Sequence, residues 1–384
     1  MQNKCKTGSG LLSQELKLLF ELLKTDQIED INLNQHTWFI GIDWDHFLEL
    51  AQHHRVYPLI YFKLKMLEEE LVPSKVLQTL YDEYKKNTFK MLHFSKEMEE
   101  ITKEFTKNGI RILFLKGPIL AYELYGDISL RTSKDLDILI PRVDLVKAEN
   151  ILLNLGYVEE ENKNIFNENS RRKHHVEYFH PQKRIQIEIH WRLHNPPLKE
   201  PTFEDLWERK RNTSLLKYPV YFLGEEDLFL HLIVHGARHG WFRLRWLKDI
   251  DQVLKKGVNF KKIDTLLKKY KYHDAVGQAF ILTSQILNTS LAEEFRILTL
   301  RNRSKKMAKK SVLYISTFKK FKPDIRYLFM LTPNRQKVAY AILLLYPRSW
   351  DADTLMLPKF FHFLYFPLRP FLWAWRRMRK ALSR

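Results

Sequence analysis

Residues 113–141 read LFLKGPILAYELYGDISLRTSKDLDILIP. An apolar run closes on Lys116-Gly117, Pro118 opens a helix-like segment, Gly126-Asp127 turns the chain, and a second apolar run carries Asp135 and Asp137. Successive side chains of a strand point to opposite faces, so residues two apart share a face. Asp135 and Asp137 therefore project together, while Leu136, Ile138 and Ile140 face the other way. Two like charges side by side on an otherwise apolar strand repel each other. A cation bound by both is the best explanation for them.

Working outward, residues 110–115 predict a strand, and Pro118 suits the first turn of a helix reaching about Tyr125. Residues 135–140 form the second strand, and Pro141 opens a helix that ends near Gly156. Residues 174–180 and 184–191 predict a hairpin around Pro181-Gln182-Lys183. In its second arm Ile185, Ile187 and Ile189 line one face, and Gln186, Glu188 and His190 line the other. If this arm neighbours the aspartate strand, Glu188 completes a three-carboxylate set, and His190 either binds a phosphate or stabilises the carboxylates. An ordinary amphipathic strand explains the same alternation, and an isolated Asp-x-Asp equally fits an edge strand with two solvated acids.

The chemistry that suits such a set is phosphate transfer. Magnesium prefers oxygen ligands and takes one or two carboxylates plus phosphate oxygens. Two such ions can clamp the attacking and leaving oxygens of a phosphoryl displacement. The glycine of Lys116-Gly117 lets backbone approach a phosphate, and the helix N-terminus that follows favours anions. There is neither a P-loop nor a glycine-rich dinucleotide fingerprint.

The flanks read as helical. Leu12, Leu16, Leu19 and Leu23 keep one face, a second helix runs from Trp44 or Asp45 to about His54, and a third starts near Val76. Tyr84, Met91, Met98, Ile101 and Phe105 mark another stripe, stopped by Gly109. Beyond Glu225 the pattern is helical again. His231, His235 and His239 are spaced by four, near one helical face. No HExxH pattern accompanies them, so structural or substrate-contact roles are preferred to a metal site. Arg238, Arg243 and Arg245 either meet phosphates or pair with Asp249 and Asp251. The expected division is a helical region over 1–108, a mixed α+β core over 109–200, and a helical region over 201–384 with a basic aromatic tail.

The chain has 384 residues, 45% of them hydrophobic, and a formal net charge of +19. That content builds a substantial core and excludes global disorder. The charge points to an anionic partner: nucleotide, nucleic acid, phosphorylated substrate or acidic membrane. Cys5 is the sole cysteine, which excludes an intramolecular disulfide and a cysteine zinc cluster and fits a reducing cytoplasm. The N-terminus does not read as a signal peptide, and no apolar run is long enough to span a bilayer.

The order LFLKG, helix, Leu130-Arg131, KDLDILI (134–140), then IEIHWRL (187–193), resembles the bacterial "uncharacterised nucleotidyltransferase" family of the polymerase-β-like superfamily. The resemblance continues through HLIVHGARHGW (231–241) and RWLKD (245–249) into the C-terminal segment, and so covers most of the chain. It implies an α+β fold with a mixed sheet and a transferase that moves a nucleoside monophosphate from a nucleoside triphosphate to an acceptor, releasing pyrophosphate. It implies that Asp135, Asp137 and Glu188 are the catalytic carboxylates and hold two Mg2+ ions, for which Mn2+ can substitute. It implies that Gly117 lines the triphosphate, and Lys116, Arg131, Lys134, His190, His235, Arg238 and His239 are the further candidates for binding the nucleotide. Two departures stand out: Lys116-Gly117-Pro118 occupies the place of a common Gly-Ser, and the third acid is Glu rather than Asp.

The acceptor does not come with the family; a small molecule, a peptide natural product and a protein all remain. A phosphoryl or sugar-phosphate transferase on the same fold and a nucleic-acid-binding or tRNA-modifying protein are the alternatives. Clustered carboxylates would repel phosphate without metal, so nucleic acid is the less favoured partner. The tail joins Phe360, Phe361, Phe363, Tyr365, Phe366, Phe371, Trp373 and Trp375 to flanking arginines. Such a mixture suits peripheral contact with an anionic membrane, but the preferred expectation is a helix that packs its aromatics into the core.

Overall fold

A computed structural model of the chain describes residues 12–24, 38–67, 71–159, 174–317 and 323–382. Helices α1 (Gln14–Lys24), α2 (Trp44–His53), α3 (Tyr57–Leu64) and α4 (Ser74–Lys107) come first. The stripes read separately after Val76 and after Tyr84 belong to the single 34-residue helix α4. No glycine or proline interrupts residues 74–107, so nothing in the backbone stops it.

The sheet follows, built of β1 (Leu113–Phe114), β2 (Leu136–Leu139), β3 (Val158–Glu159), β4 (His175–His180), β5 (Ile185–His190), β6 (Arg211–Asn212) and β7 (Tyr221–Phe222). Helices α5 (Pro118–Tyr125), α6 (Leu145–Asn154) and α7 (Phe203–Glu208) lie between them in sequence. The strand order is β3-β4-β5-β2-β1-β7-β6. β1 runs antiparallel to β2, β2 parallel to β5, and β4 antiparallel to β5. The sheet is mixed and the fold is α+β, as the sequence pattern implies. β1 and β2 are shorter than expected, although Leu115 extends their ladder by donating to the Asp137 carbonyl at 2.9 Å.

The two faces of the sheet have different neighbours. Leu136, Ile138, Ile187 and Ile189 share a buried cluster with Met98 and Ile101 of α4. Leu113, Leu115 and Leu139 join a second cluster with later helices: α8 (Glu225–Arg238), α9 (Leu244–Lys256), α10 (Phe260–Tyr270) and α11 (His273–Leu287). Leu16, Leu19 and Leu23 of α1 belong to this second cluster. α8 is the element that faces the aspartate strand across the site. Gly236 of α8 leaves room for the buried Trp241 ring, with which a Cβ there would collide.

The chain continues through α12 (Glu293–Thr299), α13 (Asn302–Ile315), α14 (Ile325–Leu331), α15 (Lys337–Leu345), α16 (Ser349–Thr354) and α17 (Tyr365–Leu382). Here the expectation for the tail aromatics is overturned. Of the eight named above only Tyr365 is buried. Arg369 is buried instead, and both Arg369 and Arg376 bond the fully buried Asp351 of α16. A buried carboxylate needs a partner more than an aromatic ring needs burial, so α17 turns Arg369 and Arg376 inward and leaves its rings, with Arg377 and Arg379, on the surface.

Candidate active site

Asp137 lies mid-strand in β2 and Glu188 mid-strand in β5, and the parallel register sets them directly opposite each other. Alternation puts both on the same face, where α8 packs. His190 joins them: its Nε2 stands 3.2 Å from Asp137 Oδ1 and 3.3 Å from Glu188 Oε2. Lys116 Nζ is 3.5 Å from the same Asp137 Oδ1 and 3.4 Å from His235 Nδ1. Asp137 Oδ2 is buried and has no hydrogen-bond partner. A carboxylate oxygen in that state is costly unless something binds it.

The charges fit this geometry. Burial works against ionisation of Asp137, yet Lys116 and the hydrogen bond from His190 hold its carboxyl well below the usual range. Glu188 is also held low, against its burial, chiefly by His190. His190 is raised in turn by the two carboxylates in spite of burial. Asp135, just ahead of β2, is pushed up to about 6 by burial and by the charges of Asp137 and Glu188. That is the repulsion the Asp-x-Asp spacing foretold. A divalent cation would relieve it, and carboxylate oxygens together with the open Asp137 Oδ2 are the donors a hard cation takes.

The loop before β2 is held from both sides. Asn87 Nδ2 of α4 donates to the Ser129 carbonyl at 2.8 Å. Arg131 is 2% exposed and makes a two-pronged pair with Asp249 of α9, Nε to Oδ1 and Nη2 to Oδ2 each at 3.0 Å. Tyr125 donates to the same Asp249 at 2.9 Å, and Arg245 bonds Thr132. Asp251 pairs with Lys248 and Lys255 instead of an arginine. Arg131 therefore positions the Asp135 loop, with its guanidinium committed to Asp249.

Gly117 has φ +86°, a backbone conformation that side chains rarely adopt, and it caps the N-terminus of α5. Lys134 is exposed next to Asp135. On α8, His231, His235 and His239 form a row of rings with centroid spacings of 6.2 and 4.7 Å. His235 reaches Lys116, His239 stacks on Trp246, and His231 stacks on His194. Arg238 turns away from this row into a cavity with His174 and His175. Asp137, Glu188, His190, Lys116 and His235 are thus in one group, whereas Arg131 and Arg238 face elsewhere.

His175 and Glu177 were not singled out from the sequence. β4 pairs with β5 so that His175 opposes His190 and Glu177 opposes Glu188. Ligating atoms of His175, Glu177 and Glu188 lie within 4.8 Å of one another, as do those of Asp137, Glu188 and His190, and those of His174, His175 and His190. Asp135 is in none of these three groups. The signal that could have found His175 and Glu177 is the mirrored order His-x-Glu and Glu-x-His about the hairpin turn.

The mixed sheet brings carboxylates from neighbouring strands together in an α+β fold. The family model described as "uncharacterised nucleotidyltransferase" matches residues 41–288, and the chain belongs to that family. Membership places it among the transferases. No curated protein matches it. Among solved structures it is similar to an antigenic nucleotidyltransferase-like protein from Paracoccidioides brasiliensis. That likeness has 13% identity and a TM-score of 0.31, covering 51% of this chain and 92% of the other.

Proposed function

We propose that the chain is a magnesium-dependent enzyme that transfers a nucleoside monophosphate from a nucleoside triphosphate to an acceptor and releases pyrophosphate. The observation that supports this most is the register pair Asp137–Glu188, with Asp137 Oδ2 buried and unpartnered. Asp135, Asp137 and Glu188 would hold the cations, with Mn2+ an adequate replacement. When bound, such ions neutralise triphosphate charge and favour in-line displacement.

The chain's own groups do the rest. Gly117 and the start of α5 offer backbone N–H groups to phosphate oxygens, and Lys116 and Lys134 add positive charge on either side of the aspartates. His190 holds Asp137 and Glu188 at a fixed separation. His235 and His239 lie beside Lys116 for contact with the nucleotide. In the transfer, an acceptor oxygen bonds the α-phosphorus, and the bond from that phosphorus to the bridging oxygen breaks. The electron pair leaves on pyrophosphate, and the acceptor's proton passes to a carboxylate. The reduced cytoplasm is the proposed setting.

An electron paramagnetic resonance titration with Mn2+ tests this. Quenching of the free-ion signal by wild type, tightened by ATP or another nucleoside triphosphate and lost in Asp137→Asn, is the expected result. Equal quenching by wild type and variant would overturn the assignment.

A further inference from the structure

The C-terminal elements leave on the surface what a folded chain ordinarily covers. α15 buries none of its residues, and Val338 is 71% exposed. The 3-10 turn Lys359–Leu364 leaves Phe360 at 82%, and α17 adds Phe371 at 72% and Trp375. Apolar surface on this scale marks an interaction site. Residues 355–384 contain no acid. Arg377 lies over the Trp373 ring at 4.4 Å, and Arg379 is exposed. Rings and arginines interleaved on one surface suit the boundary between lipid head groups and acyl chains, and the positive charge selects an anionic leaflet. No described helix is long and apolar enough to cross a membrane, so the contact would be peripheral.

This surface is continuous with a cavity of about 360 Å3. Tyr340, Leu343 and Leu344 of α15 and Trp350 of α16 line it together with His174, His175 and Arg238. Trp350 is half exposed and connects the cavity to the outer surface. His175 Nε2 stands 3.8 Å from Glu188 Oε2, so the lining adjoins the carboxylates there. Arg238 makes no hydrogen bond or ion pair among the described residues, and burial lowers its pKa. An arginine in that state is suited to a phosphate.

We propose that the C-terminal helices rest on an anionic lipid surface, and that the cavity beneath α15 takes the phosphate-bearing head group of an amphiphile from that surface as the acceptor. The acceptor role rests on the nucleotidyl-transfer reading above; the docking does not. Arg238 then reads the acceptor rather than the nucleotide.

The full chain is sedimented with phosphatidylcholine vesicles, with and without phosphatidylglycerol. Binding that requires phosphatidylglycerol and weakens with salt is expected. The variant Phe360→Ser/Phe371→Ser/Trp375→Ser should lose most of it with an unchanged unfolding midpoint. No sedimentation with either vesicle, or a dimer by light scattering whose formation needs the same three residues, overturns the docking. Calorimetry with monomeric dihexanoyl phosphatidylglycerol should give saturable heat that Arg238→Gln abolishes, and dihexanoyl phosphatidylcholine should give at least several-fold less. Equal heats in wild type and variant, or none, overturn the cavity assignment. Mg2+-ATP binding by the same sample separates the two readings. Nucleotide binding without lipid binding sinks only this inference, and lipid binding without nucleotide binding sinks the acceptor role.

Discussion

Asp137 and Glu188 are register partners on adjacent parallel strands, and both carboxylates contact the same His190 nitrogen, at 3.2 and 3.3 Å. Without that imidazole, two carboxylates would face each other in a largely buried setting. With it, one oxygen of Asp137 stays free of partners.

Asp137→Asn keeps the shape of the side chain and removes its charge. Transfer, followed by pyrophosphate release, should fall on the order of 10²–10³-fold, the usual cost of losing one electrostatic contact to a transition state. An unfolding midpoint close to wild type would separate this from a folding defect.

His190→Leu should lower stability by about 1–3 kcal/mol, because the buried Asp137 and the partly buried Glu188 lose their shared partner. Mg2+ should then raise the melting temperature more in the variant than in wild type, since the cation takes over the neutralising role. Differential scanning fluorimetry across a magnesium series reads both effects.

Arg131 and Asp249 are each 1% exposed in their side chains. Asp249→Asn leaves a buried arginine uncompensated and should cost about 3–5 kcal/mol, read by urea unfolding. Arg131→Met/Asp249→Leu should recover part of that stability without restoring transfer, because the Asp135 loop loses its anchor.

Burial lowers His54 to about 3, and burial with the charge of Arg238 lowers His194 to about 3. An unfolded histidine titrates near 6.5. Between these values the unfolded chain binds protons that the fold refuses, so stability is full above about 6.5 and is lost as the pH falls toward 3. Each contributes up to about 5 kcal/mol over that span. His54 Nδ1 accepts from the Leu244 N–H at 3.3 Å, and His54→Gln should flatten the slope of unfolding free energy against pH between 6.5 and 5.

Much of the site was legible because it is written in local periodicity. The alternation of Asp137 with Leu136 and Ile138, and of Glu188 and His190 with Ile187 and Ile189, is the alternation of β2 and β5, with the isoleucines and Leu136 in the core; Asp135 falls just before β2. Pro118 and Tyr125 bound α5 as the sequence implied. The Asp137–Glu188 register was not legible, since parallel pairing across fifty residues leaves no local trace. Nor was the Arg131–Asp249 pair, which joins a loop to a helix 118 positions away. The tail was misread for a related reason. Composition showed rings and arginines on one helix, but the side facing inward is chosen by Asp351, on a different element.

Calorimetric titration of ATP, GTP, CTP and UTP into wild type and Asp137→Ala, with and without Mg2+, tests the central claim most directly. Magnesium-dependent binding of at least one nucleotide by wild type, absent from the variant, is predicted. Binding that is indifferent to both magnesium and Asp137, or no binding by the folded wild-type protein, would contradict it.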